Sequence, residues 1–459
     1  MRNVRVIRRL YTLPAVSNKL FLLLTQAIGA CVGAVYATIL IKVNEQRYWW
    51  SEINEARKEV IFHSEQAMYY RYFKDVTDTS LPISQVFYNF LNDATVESPN
   101  VINALKRFNV WPEFLLGVSF RYFSTSEPID YYVHTVLAWS FFLMAGIYVT
   151  ATLITRNLIC GLVAVAAVMG NFLDSTRVWG SVPLRESWSI PLIFSQIAVV
   201  TYVLHMSSSG QMTASESRMK RFAPFVLLYV LTTSLVLSWQ LAASIMALQV
   251  AALFLTHLLG YINTQLLKHL IVCHLMSVSS VVVFMFGNEM LITSPYTITC
   301  IGALVAVMGC DCLLGSADAL QFPYRLTRSF VVGMCSIAIA IATKVALHTL
   351  PFLPAGDDAH MYNLIQAKVG DFEDFHTNLY LHSEAFQMLQ WHTIMRLTYT
   401  GILPMAVTGV LLVSGYILRD ICTGRHSKVM YTELELYDPT LYYDRATARE
   451  KAKSHGKVR

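Results

Sequence analysis

Residues 131–173 read YYVHTVLAWSFFLMAGIYVTATLITRNLICGLVAVAAVMGNFL, a stretch in which Arg156 is the only Lys, Arg, Asp or Glu. A helix at the surface of a soluble protein keeps one polar face, so a run apolar all round belongs in lipid or deep in a large core. Its two halves, 131–154 and 157–173, approach the roughly twenty residues that cross a bilayer, the second being short. Comparable runs occupy 20–43, 189–206, 222–239, 241–262, 269–291, 296–314, 330–350 and 399–418. The expectation is an all-α polytopic membrane protein with about ten transmembrane helices.

Composition agrees: 55% of the residues are hydrophobic and 14% charged, with a mean hydropathy of +0.46, where soluble domains carry roughly a quarter charged residues. The formal net charge is +5, which in a soluble chain would suggest nucleic acid. Here the basic residues gather in short loops and at the two ends, which makes them a topology signal and argues against a nucleic-acid partner. The N-terminus (Arg2, Arg5, Arg8, Arg9, Lys19), the loop with Arg218, Lys220 and Arg221, Lys268, Arg325 with Arg328, and the tail from Arg419 to Arg459 all fall on one side by parity. That side is the cytoplasm. The apolar stretch from about residue 20 is read as a retained anchor, with 1–19 a cytoplasmic basic N-terminus, 20–418 a transmembrane domain and 419–459 a charged cytoplasmic tail. The eight cysteines sit nearly all in apolar runs without metal spacing, and are read as buried thiols in helices.

The opposite side receives the connecting segments 44–130 and 351–398, the 174–188 loop, residues 238–240 and the turn at Asn288. Long loops on a rigid scaffold are where function concentrates. In the first of them, WWSEINEARKEV and SQVFYNFLNDA have helical spacing with one apolar face, and Ser98-Pro99 suits the start of a capped helix. FHSEQAMYYRYFK places Glu65 just before an aromatic cluster that includes Tyr69 and Tyr70. Aromatic walls can desolvate a carboxylate and tune its basicity; an ordinary surface acid is the competing reading. Glu113 reads as a helix-end acid.

Further along, Arg177 and Arg185 stand at a membrane boundary. Guanidinium groups suit a lipid phosphate, while a brace to Asp174 or Glu186 explains them equally well. Trp239 and Gln240 end a span, where an aromatic belt residue is the ordinary explanation. Asn288 and Glu289, also at a span end, are of the kind that faces a cavity. Asp357, Asp358 and His360 superficially look like metal ligands, but a lone DDxH without a further ligand fits capping or substrate contact better.

FHSEQAMYYRYFKD, TVESPNVINALKRFNVWPEF, DSTRVWGSVPLRESW, LSWQ, FGNEML, GDDAH and DFHTNLYLHSEAF, in this order from about residue 50 to 390, resemble the tryptophan C-mannosyltransferases of the endoplasmic reticulum, the dumpy-nineteen-like family. The resemblance implies a GT-C type glycosyltransferase fold with a large first lumenal loop, a lumenal active site, dolichyl-phosphate mannose as donor and a Trp-x-x-Trp polypeptide as acceptor. It implies a catalytic acid at Glu65, and a scheme in which Arg177 and Arg185 hold the lipid phosphate. Tyr69, Tyr70, Trp239, Gln240, Asn288, Asp357, Asp358 and His360 are then substrate-contact candidates, and no metal or other cofactor is required. Family members run longer, with further spans and a lumenal C-terminal portion. A non-catalytic relative that binds lipid or a partner, and a membrane solute transporter, are the competing functions.

Overall fold

The computed structural model describes residues 18–63, 65–172, 176–208, 218–314, 322–349, 366–367, 370 and 390–423. Among the described residues the chain is helical, and its only β pairing is an isolated antiparallel bridge between Asp93 and Ile102. Seven stretches among the described residues are long and apolar enough to cross a membrane: Lys19–Tyr48, Pro128–Thr155, Arg185–Met206, Thr264–Phe284, Glu289–Gly309, Thr327–Leu347 and Ile402–Arg419. Three shorter apolar helices, Leu158–Gly170, Phe222–Ser238 and Ala242–Leu258, fall on the expected spans 157–173, 222–239 and 241–262. The first of these is short because it is capped at both ends. The Asn157 side chain accepts from the Ile159 amide at 2.9 Å, and the Asn171 side chain donates back to Ala167 O at 2.9 Å.

In chain order, α1 (Asn18–Tyr48) leads into a group of short helices, α2 (Glu55–Val60), α3 (Glu65–Thr77), α4 (Ile83–Leu91), α5 (Ala104–Arg107) and α6 (Trp111–Phe123). The chain returns through α7 (Pro128–Trp139), α8 (Phe141–Thr155) and α9 (Leu158–Gly170). A single turn, α10 (Thr176–Trp179), precedes α11 (Arg185–Ser208), α12 (Arg218–Ser238), α13 (Ala242–Leu258) and α14 (Thr264–Phe284). Then come α15 (Glu289–Ile292), α16 (Pro295–Leu314), α17 (Phe322–His348), α18 (Trp391–Tyr399) and α19 (Ile402–Thr423).

The expected span at 131–154 is two helices, α7 and α8, interrupted at Ser140, whose hydroxyl donates to Leu137 O at 2.5 Å. Below the break, Gly146 of α8 lets the α11 backbone approach so closely that a Cβ there would lie 2.7 Å from Phe194 C. Small residues permit this kind of contact between membrane helices. One apolar core joins α11 to α14, α16 and α17, and a second joins α1, α3, α7 and α8. Trp139 and Ile190 pack against both. Polar groups inside the bundle find partners across helices: Gln196 and Gln249 exchange two 2.7 Å hydrogen bonds, and Ser189 meets Ser238 at 2.8 Å.

The short helices carry a third core built on Tyr69, Tyr72, Val76, Phe90, Leu105 and Phe114. They are fixed to the bundle where α1 ends. Trp49 takes a left-handed φ of 52°, and the next indole, Trp50, turns inward and donates to Asp130 Oδ1 of α7 at 2.7 Å. Lys58 of α2 adds bonds of 2.8 and 3.0 Å to the same carboxylate.

Two expectations need correction. No helix starts at Ser98-Pro99: Asp93 and Ile102 exchange two 2.8 Å backbone bonds, which close 93–102 into a loop, and the helix begins only at Ala104, capped by Asn103. The cysteines are not uniformly buried. All eight lie in helices, but of the six whose side chains are described Cys31 and Cys422 are exposed on the helix surface and only Cys300 is buried.

Candidate active site

Glu65 opens α3, where the helix dipole favours a carboxylate, and one turn later Tyr69 begins the buried face that continues through Tyr72, Phe73 and Val76. Glu65 itself is exposed. No hydrogen bond or ion pair joins it to another described residue. The next residue anchors the turn, Gln66 Nε2 donating to Val182 O at 2.8 Å. That bond lays the first turn of α3 on the loop carrying Arg177 and Arg185.

Behind Tyr69 lies a closed ionic network. Arg185, the first residue of α11, is 5% exposed, and its guanidinium carbon sits 3.5 Å from the centre of the Tyr69 ring. Its Nη1 donates to Glu113 Oε2 at 3.0 Å and to Asn109 O at 2.5 Å, while Nη2 donates to Glu113 Oε1. The Tyr132 hydroxyl donates to that same oxygen at 2.9 Å, and Glu113 has no exposed surface. A buried pair is tolerable only when most of the remaining lone pairs and protons are also engaged; here the Asn109 carbonyl and the Tyr132 hydroxyl each add a hydrogen bond, while Arg185 Nε is buried without a partner among the described residues. Burial pushes the Tyr69 phenol up to about 12; Arg185 opposes this, and Glu65, Glu113 and Glu186 reinforce it. Arg185 thus lies over the face of the Tyr69 ring, and Glu65 stands one turn earlier on the same helix as that tyrosine.

Arg177 on α10 takes the second brace foreseen for it: Nε and Nη2 both reach Glu186 Oε1, at 2.9 and 2.8 Å. Its side chain is 61% exposed. Two residues on, Trp179 stacks on Phe172 with ring centres 4.2 Å apart and donates to Phe172 O at 3.1 Å.

The structure therefore brings Glu65, Tyr69, Arg177 and Arg185 together. Tyr70 faces another way, its hydroxyl on Glu59 at 3.2 Å and its ring among Phe62, Phe73 and Tyr132. Gln240 and Asn288 lie apart from these, and Trp239 packs against the larger apolar core. The Asn288 side chain caps α15 and donates to Lys106 O at 2.7 Å, and Gln240 reaches Met290 Sδ at 3.3 Å. Beside them Asn103, Lys106, Asn288 and Glu289 line a cleft of about 200 Å³. The two groups are linked through Asn109, whose carbonyl serves Arg185 and whose amide donates to Val236 O and Leu237 O. Asp174, Asp357, Asp358 and His360 lie outside the described residues.

Sequence reasoning missed Glu113 and Asn109 as members of the site. Glu113 did carry a signal: WPEFLLGVSF is a carboxylate set among apolar neighbours, and fully buried acids are paired. Its partner is 72 residues away, beyond what spacing can find.

Fold and site together define a polytopic, all-helical membrane protein with a carboxylate and paired arginines at one end of its bundle. The family model Dpy19, described as Q-cell neuroblast polarisation, matches residues 30–455, and the chain belongs to that family. It is 28% identical over 427 residues to the rat protein C-mannosyl-transferase DPY19L1, a match covering 86% of this chain and 55% of the relative. Human DPY19L1 is 27% identical over 423 residues, covering 84% and 60%, and the Caenorhabditis elegans C-mannosyltransferase dpy-19 is 24% identical over 417 residues, covering 84% and 58%. The chain thus spans a little over half the length of the curated relatives it matches.

Proposed function

We propose that this chain is a C-mannosyltransferase of the endoplasmic reticulum membrane, with a GT-C fold and a lumenal site, which moves mannose from dolichyl-phosphate mannose to indole C2 of a tryptophan in Trp-x-x-Trp sequences. The observation that carries the reading is an exposed carboxylate, Glu65, with no ionic partner among the described residues, whose neighbour Gln66 is bonded to the segment between Arg177 and Arg185. Relatives named C-mannosyltransferases across most of the chain support it.

In this scheme the bond from sugar C1 to the phosphate oxygen breaks with both electrons leaving on the lipid phosphate, and the indole C2 to C1 bond forms. The charged indole then loses its C2 proton to Glu65, which a free carboxylate at that place is suited to accept. Arg177, on the exposed side of the loop, meets the phosphate, and Arg185 sets the wall behind Tyr69. Tyr69, with Trp239, Gln240, Asn288, Asp357, Asp358 and His360, remains a proposed contact to sugar or acceptor, whereas Tyr70 is turned to Glu59.

The test is the purified chain in detergent with dolichyl-phosphate mannose and a Trp-x-x-Trp peptide, read by mass spectrometry. A carbon-linked hexose that resists acid, and is lost in Glu65→Gln, is the expected result. A folded protein that transfers nothing, with or without Glu65, overturns the reading.

A further inference from the structure

Six charged side chains converge on the loop 176–186: Arg47, Glu65, Glu113, Arg177, Arg185 and Glu186. Four neutralise each other in two pairs, Arg185 with Glu113 and Arg177 with Glu186. The two left are Glu65 and Arg47. Arg47 is in the last turn of α1, at the end of a membrane span, and is exposed. No described carboxylate pairs with it, and Glu45, two residues earlier on the helix, turns instead to Ser51 at 3.1 Å from its amide.

Its guanidinium is nevertheless held. Nη1 donates to Gly180 O at 3.3 Å, and the guanidinium carbon lies 5.1 Å from the Tyr48 ring centre and 6.0 Å from that of Trp179. Trp179 is itself fixed by its stack on Phe172. Gly180, which receives Arg47, is two residues from Val182, which receives Gln66, the neighbour of Glu65. An arginine that merely reaches for the membrane surface extends into solvent; this one is folded over two rings beside the site with four of its five N–H groups still unused.

We propose that Arg47 is the principal phosphate-binding cation of this site. A phosphate reaching Arg185 would have to displace a buried carboxylate, and one reaching Arg177 must share it with Glu186. Arg47 offers a full positive charge without competition, at the level in the membrane where the phosphate of a lipid lies. The ligand chemistry is the phosphate of a membrane-embedded lipid, either the polyprenyl donor or a bulk bilayer lipid. The assignment rests on the transferase reading above.

The experiment measures binding of a polyprenyl monophosphate, the lipid product without sugar, to the full chain in neutral phosphatidylcholine nanodiscs, for wild type, Arg47→Gln, Arg47→Lys and the control Lys42→Gln. Lys42 is an exposed cation on the same span. Loss of a hydrogen-bonded charge should weaken binding about tenfold or more in Arg47→Gln, with partial recovery in Arg47→Lys, no change in Lys42→Gln and near-native thermal unfolding in all. Wild-type affinity in a folded Arg47→Gln overturns the assignment while leaving the transferase reading intact. A wild-type chain that binds no polyprenyl phosphate defeats both. If Arg47→Gln loses binding only to vesicles containing phosphatidic acid, and not to polyprenyl phosphate, the cation serves the bilayer and the assignment to this site falls.

Discussion

Glu113 and Arg177 illustrate how differently two ion pairs of the same chemistry weigh in one site. Glu113→Ala leaves the Arg185 charge buried against Tyr69 and Tyr132 without a partner, and should cost about 3–5 kcal/mol. Arg177→Ala removes a pair whose arginine is 61% exposed, and should change stability by no more than about 1 kcal/mol. Thermal unfolding in detergent reads the contrast, and near-equal losses would show that the Glu113 pair is not the closed network described. The sequence identifies both arginines, yet it leaves open what they meet. For Arg177 a partner nine residues on, Glu186, is within reach of spacing arguments; Arg185 is paired through tertiary structure alone.

At the scale of elements, α3 to α6 owe their arrangement to a few polar fixtures. Asp93 is one: although burial works against ionisation, hydrogen bonds from Thr95 and Tyr72 hold its carboxyl below the ordinary carboxylate range. A depressed folded-state value means that the stabilisation is fully present above the unfolded value of about 3.9 and is lost as pH falls through the folded one. Protection factors for amide exchange across 83–123 should therefore fall below about pH 4 in the native protein, and those of Asp93→Asn should show less of this dependence.

Gly146 makes the corresponding point for the membrane helices. Alanine would add about 1 kcal/mol of helix propensity, but its Cβ would meet the Phe194 backbone, which cannot turn aside as a side chain can. Overpacking of about 1–3 kcal/mol should win, so that Gly146→Ala melts lower than wild type. The spans were legible because apolar runs need no partner to be recognised. The break at Ser140 and the loop at 93–102 were not: the first falls inside an unbroken apolar run, and the second depends on a backbone pairing across nine residues.

For the molecule as a whole, the distribution of Lys and Arg predicts a topology in which Glu65, Arg177, Arg185 and Asn288 share one side. An N-glycosylation acceptor introduced in the exposed turn near Ser98 should be modified in microsomes, and one introduced near Gln211 should not; the reverse pattern would invert the orientation. This sidedness is an expectation from charge, which the glycosylation pattern tests. What could not be read was that those four residues divide into two groups, one around Tyr69 and one beside Lys106, joined by Asn109.

The interruption at Ser140 also bears on how the protein lives in membranes of unequal thickness. Pro128–Thr155 has 28 residues, about 42 Å at helical rise, well beyond a hydrocarbon layer of about 30 Å. Its outer part is bolted by Tyr132 to Glu113 and by Trp139 Nε1 to Trp188 O at 3.0 Å. The inner part is held mainly by helix packing, against α11 at Gly146 and against α1 at Gly29 and Gly33, with one hydrogen bond from Ser195 Oγ to Phe142 O at 3.2 Å. Hydrophobic mismatch is relieved by tilting, and a rod with a joint in it can tilt below the joint while the ring of charges above stays in register. Reconstitution in short-chain and long-chain phosphatidylcholine should accordingly alter the tilt of α8 far more than the distance between α3 and α11.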